Sequence, residues 1–513
     1  MIKFKVMKSI RNKHIHTAQK IITIALLSVS GLSYFSFNYF HLFGHIQSFS
    51  DFLFCLLQWV KLSGLVMLPA AVFLKTERFT ATIKWLLVIT PLASLGFIMR
   101  YIGLQHTPAH LHQELYAHIN RFMPVALIAV LFVLEALLLA AAAVLFWVRD
   151  GLKIRVMSDI GNKNTPAQAV KRSVLSFLPV FFCVIPLNLF DNVVRLFPES
   201  VYNFLKFGNF TMWHLAVFQF VFLATFLAFR FLKKKDSAAR RKYLTVFCIA
   251  MLVQYMNKAS MLIGDGYNVY YTVLAFIPLF ICNIGVLIAA LAVFVWKNKT
   301  LHNLSFFVHA AGALTVFFYF GKAEMSNYGT VLSYTFLYFA FTHCALFMVC
   351  VLPVLLGEHK FSIKGKGSLV PMAYYAGVIL VAALTSEIIT AATGALYLTS
   401  HGEAAVIYPN FAFTQNSPIA NSLPKLNLKI GALTFDMLYL SILFLAYVAI
   451  FFIYYAGYYA LIELRKKRNP KTTLTAETDP ATILSALAET AAAVDAETTE
   501  IPKDTLLVDE PKN

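Results

Sequence analysis

Charge is scarce in this chain of 513 residues: only 13% are Asp, Glu, Lys or Arg. A soluble domain carries about a quarter, so a soluble globular enzyme and a disordered chain are both excluded. Cysteine is scarce too. The six are Cys55, Cys183, Cys248, Cys282, Cys344 and Cys350, all inside apolar stretches and none in a CxxC pair. That excludes a disulfide framework and a structural zinc site. Alternation at period two is also missing, which excludes an outer-membrane barrel. What is present is hydrophobicity: 59% of residues are apolar, and the mean hydropathy is +0.69. Repeated apolar runs of ~20 residues are what a ~30 Å hydrocarbon core demands of a spanning helix. The fold class is therefore all-α, a polytopic membrane helical bundle.

Twelve spans are expected, at about 21–43, 52–74, 83–104, 122–148, 174–197, 210–230, 243–263, 270–296, 302–320, 329–356, 368–398 and 433–462. With the N-terminus inside, the cytoplasmic segments hold 32 Lys and Arg, and the external loops hold five. The positive-inside rule reads that asymmetry as both termini cytoplasmic. It also absorbs the net charge of +18. These basic residues sit in short loops between apolar runs, so no nucleic-acid partner is expected. Met1–Lys20 with Ile21–Phe43 reads as an uncleaved signal-anchor helix. Residues 472–513 carry nine Asp and Glu against two Lys and read as a disordered acidic tail, available to cytoplasmic partners. Three regions follow: 1–205, five helices; 206–465, seven helices; and 466–513, the tail.

Ionisable groups inside spans are costly and each is a candidate for function. The N-terminal set is Lys61, Glu135, Asp191 and Arg195. Lys61, Glu135 and Arg195 are each read as making an interhelical pair or hydrogen bond that fixes packing, and Asp191 and Arg195, spaced i and i+4 on one helix, as a pair with each other. The C-terminal set is Lys258, His309, His343 and Glu387, joined by Cys282, Asn257, Asn283, Thr342 and Ser386. From the expected span limits, Cys282, His343, Glu387 and His309 lie ~17–21 Å below the outer face. A His beside a Cys takes the thiol proton and creates a nucleophile, and an acid orients the imidazole. Separately, His106, His110, Glu114 and His118 recur every four residues in an external loop. On a helix they form one stripe with zinc or copper ligand chemistry; the alternative is a polar interfacial helix.

Further motifs run from about Trp213 to Tyr458. They are Met212-Trp213-His214-Leu215, Pro278-Leu279-Phe280-Ile281-Cys282-Asn283, Leu301–Gly321 with Gly312, Phe341-Thr342-His343-Cys344 and Thr393-Gly394-Ala395-Leu396-Tyr397-Leu398, with Pro409 beyond. In order and spacing these resemble the YwaF-type bacterial integral membrane proteins, which are related to the transmembrane protein 164 family. The resemblance covers about half the chain. Through the eukaryotic relatives it implies an acyltransferase moving fatty acyl chains between phospholipids, with Cys282 as nucleophile and His343 as base; the bacterial branch implies a plasma membrane and no established activity. Phe280 stands where the bacterial motif carries a His, and Gly394 where it carries an Asn. Glu387 comes from the residue reading alone.

Three functions are weighed. The first is an acyltransferase or lipid hydrolase using Cys282 and His343, with Asn283 or Thr342 at the oxyanion, membrane lipids as partners and no cofactor. The second is a small-solute transporter using buried charges such as Lys258, although no inverted repeat is visible. The third is a non-catalytic structural or regulatory membrane protein.

Overall fold

A computed structural model describes residues 2–36, 48–73, 77–105, 125–149, 166–264, 279–317, 329–361, 365–393 and 423–468, with isolated residues and short stretches at 39, 43, 46, 396–398, 404–406, 412 and 414. The chain divides into two compact units, Met1–Phe451 and Phe452–Asn513. In the second, the described residues are helical, and Tyr455 and Tyr458 pack ring against ring at 6.1 Å. The remaining description concerns the first unit.

Its N-terminal part is built from α1 (Ile2–Ser36), α2 (Phe49–Phe73), α3 (Glu77–Gln105), α4 (Val125–Arg149) and α5 (Pro166–Cys183). Each carries a long apolar stretch, in α1 preceded by a basic lead of six Lys and Arg. In α4, Leu and Ala dominate and Glu135 is the one acid. Large apolar side chains such as Leu92, Leu137 and Leu175 remain exposed on the outer faces. In water such a surface would aggregate, whereas in lipid it is the solvated face.

The span expected over 174–197 is broken. α5 ends at Cys183, Pro186 removes a donor, and the chain resumes as the short α6 (Leu189–Arg195). Backbone groups exposed by such a break inside a bilayer need partners, and side chains from elsewhere supply them. Gln254 Nε2 donates to the Ile185 carbonyl at 2.6 Å, Asn257 Nδ2 to Asn188 Oδ1 at 2.9 Å, and Asn192 Nδ2 to the Phe43 carbonyl at 2.7 Å. Asp191 accepts the Tyr334 N–H at 2.8 Å. Asn257, a functional candidate by sequence, is thus part of a packing joint.

After α7 (Glu199–Phe204) come α8 (Met212–Lys233), α9 (Ser237–Gly264) and α10 (Ile281–Phe294). Then α11 (Lys299–Leu304), a π-helical turn (Ser305–Ala310) and α12 (Ala311–Val316) follow without interruption. α13 (Tyr334–Leu355), α14 (Lys366–Thr393) and α15 (Met437–Arg468) complete the helices. Side-chain caps mark several starts: Thr211 accepts the His214 N–H, Asn298 the Leu301 N–H and Ser333 the Phe336 N–H. One guanidinium closes two ends. Arg240 donates to the Leu232 and Lys233 carbonyls at the end of α8 and pairs with Glu358, just past α13, at 2.7 Å.

Two short antiparallel hairpins lie beyond α14: β1 (Leu396–Leu398) with β2 (Ala404–Val406), and β3 (Asn427–Ile430) with β4 (Leu433–Asp436). The helical span expected to reach residue 398 therefore stops at Thr393. Among the described residues, eight helices are long and apolar enough to cross a membrane, and the stretches Ser173–Cys183 and Ile281–Phe294 are shorter apolar helices. The chain is an integral membrane protein with a mostly helical bundle.

Candidate functional site

Two buried polar centres stand out, and they differ in kind. The first joins α1 to α4. Lys61 and Glu135 form an ion pair at 2.9 Å, both at 0% exposure. Glu135 Oε2 also accepts from Ser94 at 2.7 Å, and its Oε1 accepts from Ser30 and Tyr34, each at 2.7 Å. The Lys61 ammonium lies 5.0–5.4 Å from the ring centroids of Tyr34, Tyr39 and Phe132. Tyr39 in turn donates to Gln58, which donates to the Ala93 carbonyl. Four donors from three helices, α1, α2 and α3, meet one carboxylate on α4, and aromatic faces surround the cation. Here the packing reading of Lys61 and Glu135 holds. Removing either partner would strand a charge in a dry interior.

The second centre lies among α9, α10, the π turn, α13, α14 and α15. Cys282 is the second residue of α10 and is half-buried. Phe280, the N-cap, has an extended backbone and no side chain able to cap, so the thiol sits at the positive end of the helix dipole. Tyr255 of α9, Tyr338 of α13 and Tyr447 of α15 lie within electrostatic reach of the sulfur. Asn283 follows in the same turn, half-buried.

His343 lies nine residues into α13, about 14 Å along its axis. Its Nδ1 donates to the Phe339 carbonyl at 2.9 Å. A carbonyl only accepts, so the proton is on Nδ1 and Nε2 carries the lone pair. That Nε2 is buried and finds no partner among the described residues. Lys258 is an electrostatic neighbour of this imidazole, and its Nζ lies 5.3 Å from the Tyr338 centroid. Tyr338, five residues before His343 on α13, is thus an electrostatic neighbour of Cys282 and holds the Lys258 ammonium over its ring. Thr342 donates back to the Tyr338 carbonyl at 2.7 Å.

His309 repeats the pattern. Its Nδ1 donates to the Ile281 carbonyl at 3.0 Å, and its buried Nε2 has no partner among the described residues. Gly285 makes room for the ring: a Cβ there would lie 2.8 Å from His309 Nδ1. The π turn that carries His309 inserts an extra residue per turn, a distortion often found at functional sites. Tyr374, whose ring meets His309 edge-on at 5.3 Å, also has a buried Oη without a partner among the described residues, whereas Ser386 lies twelve residues further along α14. Buried polar groups are normally satisfied; His309, His343 and Tyr374 each bring one that finds no partner among the described residues.

Other expected site residues fall elsewhere. Glu387 is six residues before the end of α14 and accepts the Thr434 N–H of the β3–β4 hairpin at 2.9 Å. The common depth expected for Glu387 and Cys282 came from apolar runs longer than the described helices. His214 is fully employed: Nδ1 accepts the Phe210 N–H at 2.9 Å and Nε2 donates to the Phe317 carbonyl at 2.6 Å. His106, His110, Glu114 and His118 lie outside the described residues. Among the described residues no group of three or more His, Cys, Asp or Glu is arranged to hold a metal. Sequence reasoning missed Tyr255, Tyr338, Tyr374 and Tyr447, because tyrosine carries no signal in a chain with 24 of them. Comparison with protein-family models, curated proteins and solved structures finds no match to this chain.

Proposed function

We propose that the second centre is an acyl-transfer site acting on membrane lipids, with Cys282 as nucleophile and His343 as base. The observation that carries this reading is the His343 imidazole: its tautomer is fixed by the Phe339 carbonyl, and its buried Nε2 lone pair has no partner among the described residues. A base so prepared has no structural task that explains it. In the reaction, Nε2 takes the thiol proton and the sulfur attacks the ester carbonyl. The oxyanion collapses, the alkoxide leaves with the proton from Nε2, and a thioester remains on Cys282. An acceptor hydroxyl then gives its proton to Nε2, attacks the thioester and releases the thiolate. Asn283 and the first-turn N–H groups of α10 are the available oxyanion donors. The similarity of residues 213–458 to YwaF-type proteins supports the same assignment and a bacterial plasma membrane as its location. A transporter reading gains less, since Lys61 and Glu135 engage each other rather than a solute.

The test is acyl exchange between labelled phospholipid and lysophospholipid in proteoliposomes. Cys282→Ala and His343→Ala are each expected to lower the rate by at least ~100-fold. Equal rates for both variants and the native protein would exclude the acyl-transfer reading.

A further inference from the structure

His302, Ser305 and His309 follow one another at three and four residues along α11 and the π turn, so one face carries all three. Each is buried, and each has a polar atom without a partner among the described residues: His302 Nε2, Ser305 Oγ and His309 Nε2. This face packs on α10. At one end His309 Nδ1 donates to the Ile281 carbonyl, one residue before Cys282. At the other, the carbonyls of Ala292 and Trp296 lie within hydrogen-bonding reach of the His302 ring. Between these contacts α10 carries Gly285, Ala289 and Ala292, all buried and spaced to share a side. The row extends past both histidines. His359 stacks on His302 at 3.8 Å and has a buried Nε2 of its own without a partner among the described residues, and so does Tyr374 Oη beside His309. Exposed Lys299 and Lys360 mark the His302 end as the basic end of the bundle.

The chemistry selects the occupant. Side chains one turn apart stand about 5–6 Å from each other, too far for a direct hydrogen bond and suited to one bridging water. His309 Nε2 is an acceptor, because Nδ1 donates, so it offers nothing to an anion. A metal ion would need further donors, and among the described residues no group of three His, Cys, Asp or Glu supplies them. The Ser305 hydroxyl both donates and accepts, as a link between two waters must. Buried polar groups are normally satisfied, so five unmet ones in a single row point to a shared occupant.

We propose that this face binds a file of water molecules from His359 and His302, past Ser305, to His309 and Tyr374, and that the file is a proton route between the basic end of the bundle and the turn bearing Cys282. Each water accepts one proton as it hands on another, so no co-reactant is required. Histidine chains inside membranes serve such relays. The inference goes beyond acyl transfer and does not rest on it.

The test is solid-state NMR of the full chain in liposomes, with isotope-labelled histidine rings, following proton magnetisation from water to the ring nitrogens. His214 is the internal reference, since it is buried and both its nitrogens are bonded to backbone. His309 Nε2 is expected to receive the signal at least about threefold faster than His214, because a bridging water touches it directly. Ser305→Val and Ser305→Thr have the same shape, and only the second keeps a hydroxyl. The valine variant loses the advantage at His309 and retains it at His302; the threonine variant keeps it at both. Unchanged His343 signals show that a variant is folded. Should Ser305→Val fail that check, Ala289→Val narrows the file from the α10 side, with the same loss expected at His309. A native His309 no faster than His214 overturns the proposal. So do equal His309 rates in the valine and threonine variants, or an undiminished rate in Ala289→Val.

Discussion

The two buried polar centres use similar residue types to opposite ends. Around Glu135 every strong donor has a use: Lys61, Ser30, Tyr34 and Ser94 all converge on one carboxylate. Around Cys282 the rings of His309 and His343 each spend one nitrogen on a carbonyl and leave the other without a partner among the described residues. A satisfied network fixes helix register, whereas an unsatisfied one retains stabilisation for something that arrives later. The comparison teaches that burial of an ionisable group in a membrane is not the signal of function; the unmet valence is.

The largest effect that would break this contrast concerns the first centre. Glu135→Ala leaves the Lys61 ammonium buried without its counter-ion and is expected to cost about 3–5 kcal/mol, read by denaturant or steric-trap unfolding in bicelles. The double change Lys61→Met with Glu135→Leu should recover most of that loss, because a matched apolar pair removes both desolvation penalties. Native-like stability of Glu135→Ala would mean the network is not a structural lock.

His343→Ala is expected to do the reverse. Its Nε2 has no partner among the described residues, so unfolding should shift by no more than about 1–2 kcal/mol, the worth of one ordinary hydrogen bond and its packing, while acyl exchange collapses. A stability loss as large as that of Glu135→Ala would erase the distinction between the centres.

Gly285→Ala sharpens the picture at intermediate cost. The new methyl would sit 2.8 Å from His309 Nδ1. It should displace that ring from the Ile281 carbonyl for about 1–3 kcal/mol, with a matching change in the His309 imidazole NMR signals. An unshifted imidazole would show that the glycine is not what seats the ring.

The smallest effect lies outside the spans. His359 stacks on His302 at 3.8 Å, with Trp296 edge-on. Burial holds the His359 pKa below the ordinary histidine value; Glu358 opposes that shift and Lys299 adds to it. The folded protein thus prefers the neutral ring. Its contribution is complete above the unfolded pKa of ~6.5 and fades as pH falls toward the lower folded value. His359→Phe should flatten a small loss of thermal stability between pH 7 and pH 5, and an identical slope in the variant would remove the ring from that role.

Much of this was legible in the sequence. Apolar length alone located the eight long helices, since lipid imposes a length that water does not. Lys61 and Glu135 were readable as packing residues, because a charge in hydrocarbon must find a partner; that each is the other's partner is seen only in the fold. Other features depended on contacts that run length does not encode. At the break, Gln254 arrives from α9 to satisfy the Ile185 carbonyl and Asn257 to hold the Asn188 side chain. The apolar run past Thr393 was read as helix, yet Leu396–Leu398 pairs as a strand with Ala404–Val406. That moved Glu387 toward the hairpin. Cys282 and His343 were legible as types. The side of each imidazole that is satisfied is a tertiary fact, and so is the π turn that seats His309.

The most direct test of the central claim is the alkylation rate of Cys282 at neutral pH, measured with iodoacetamide in a chain whose other five cysteines are replaced. With His343 intact the thiol should react at least tenfold faster than in His343→Ala, because the unused Nε2 takes its proton. Equal rates in the two proteins would contradict the claim that this imidazole activates this thiol.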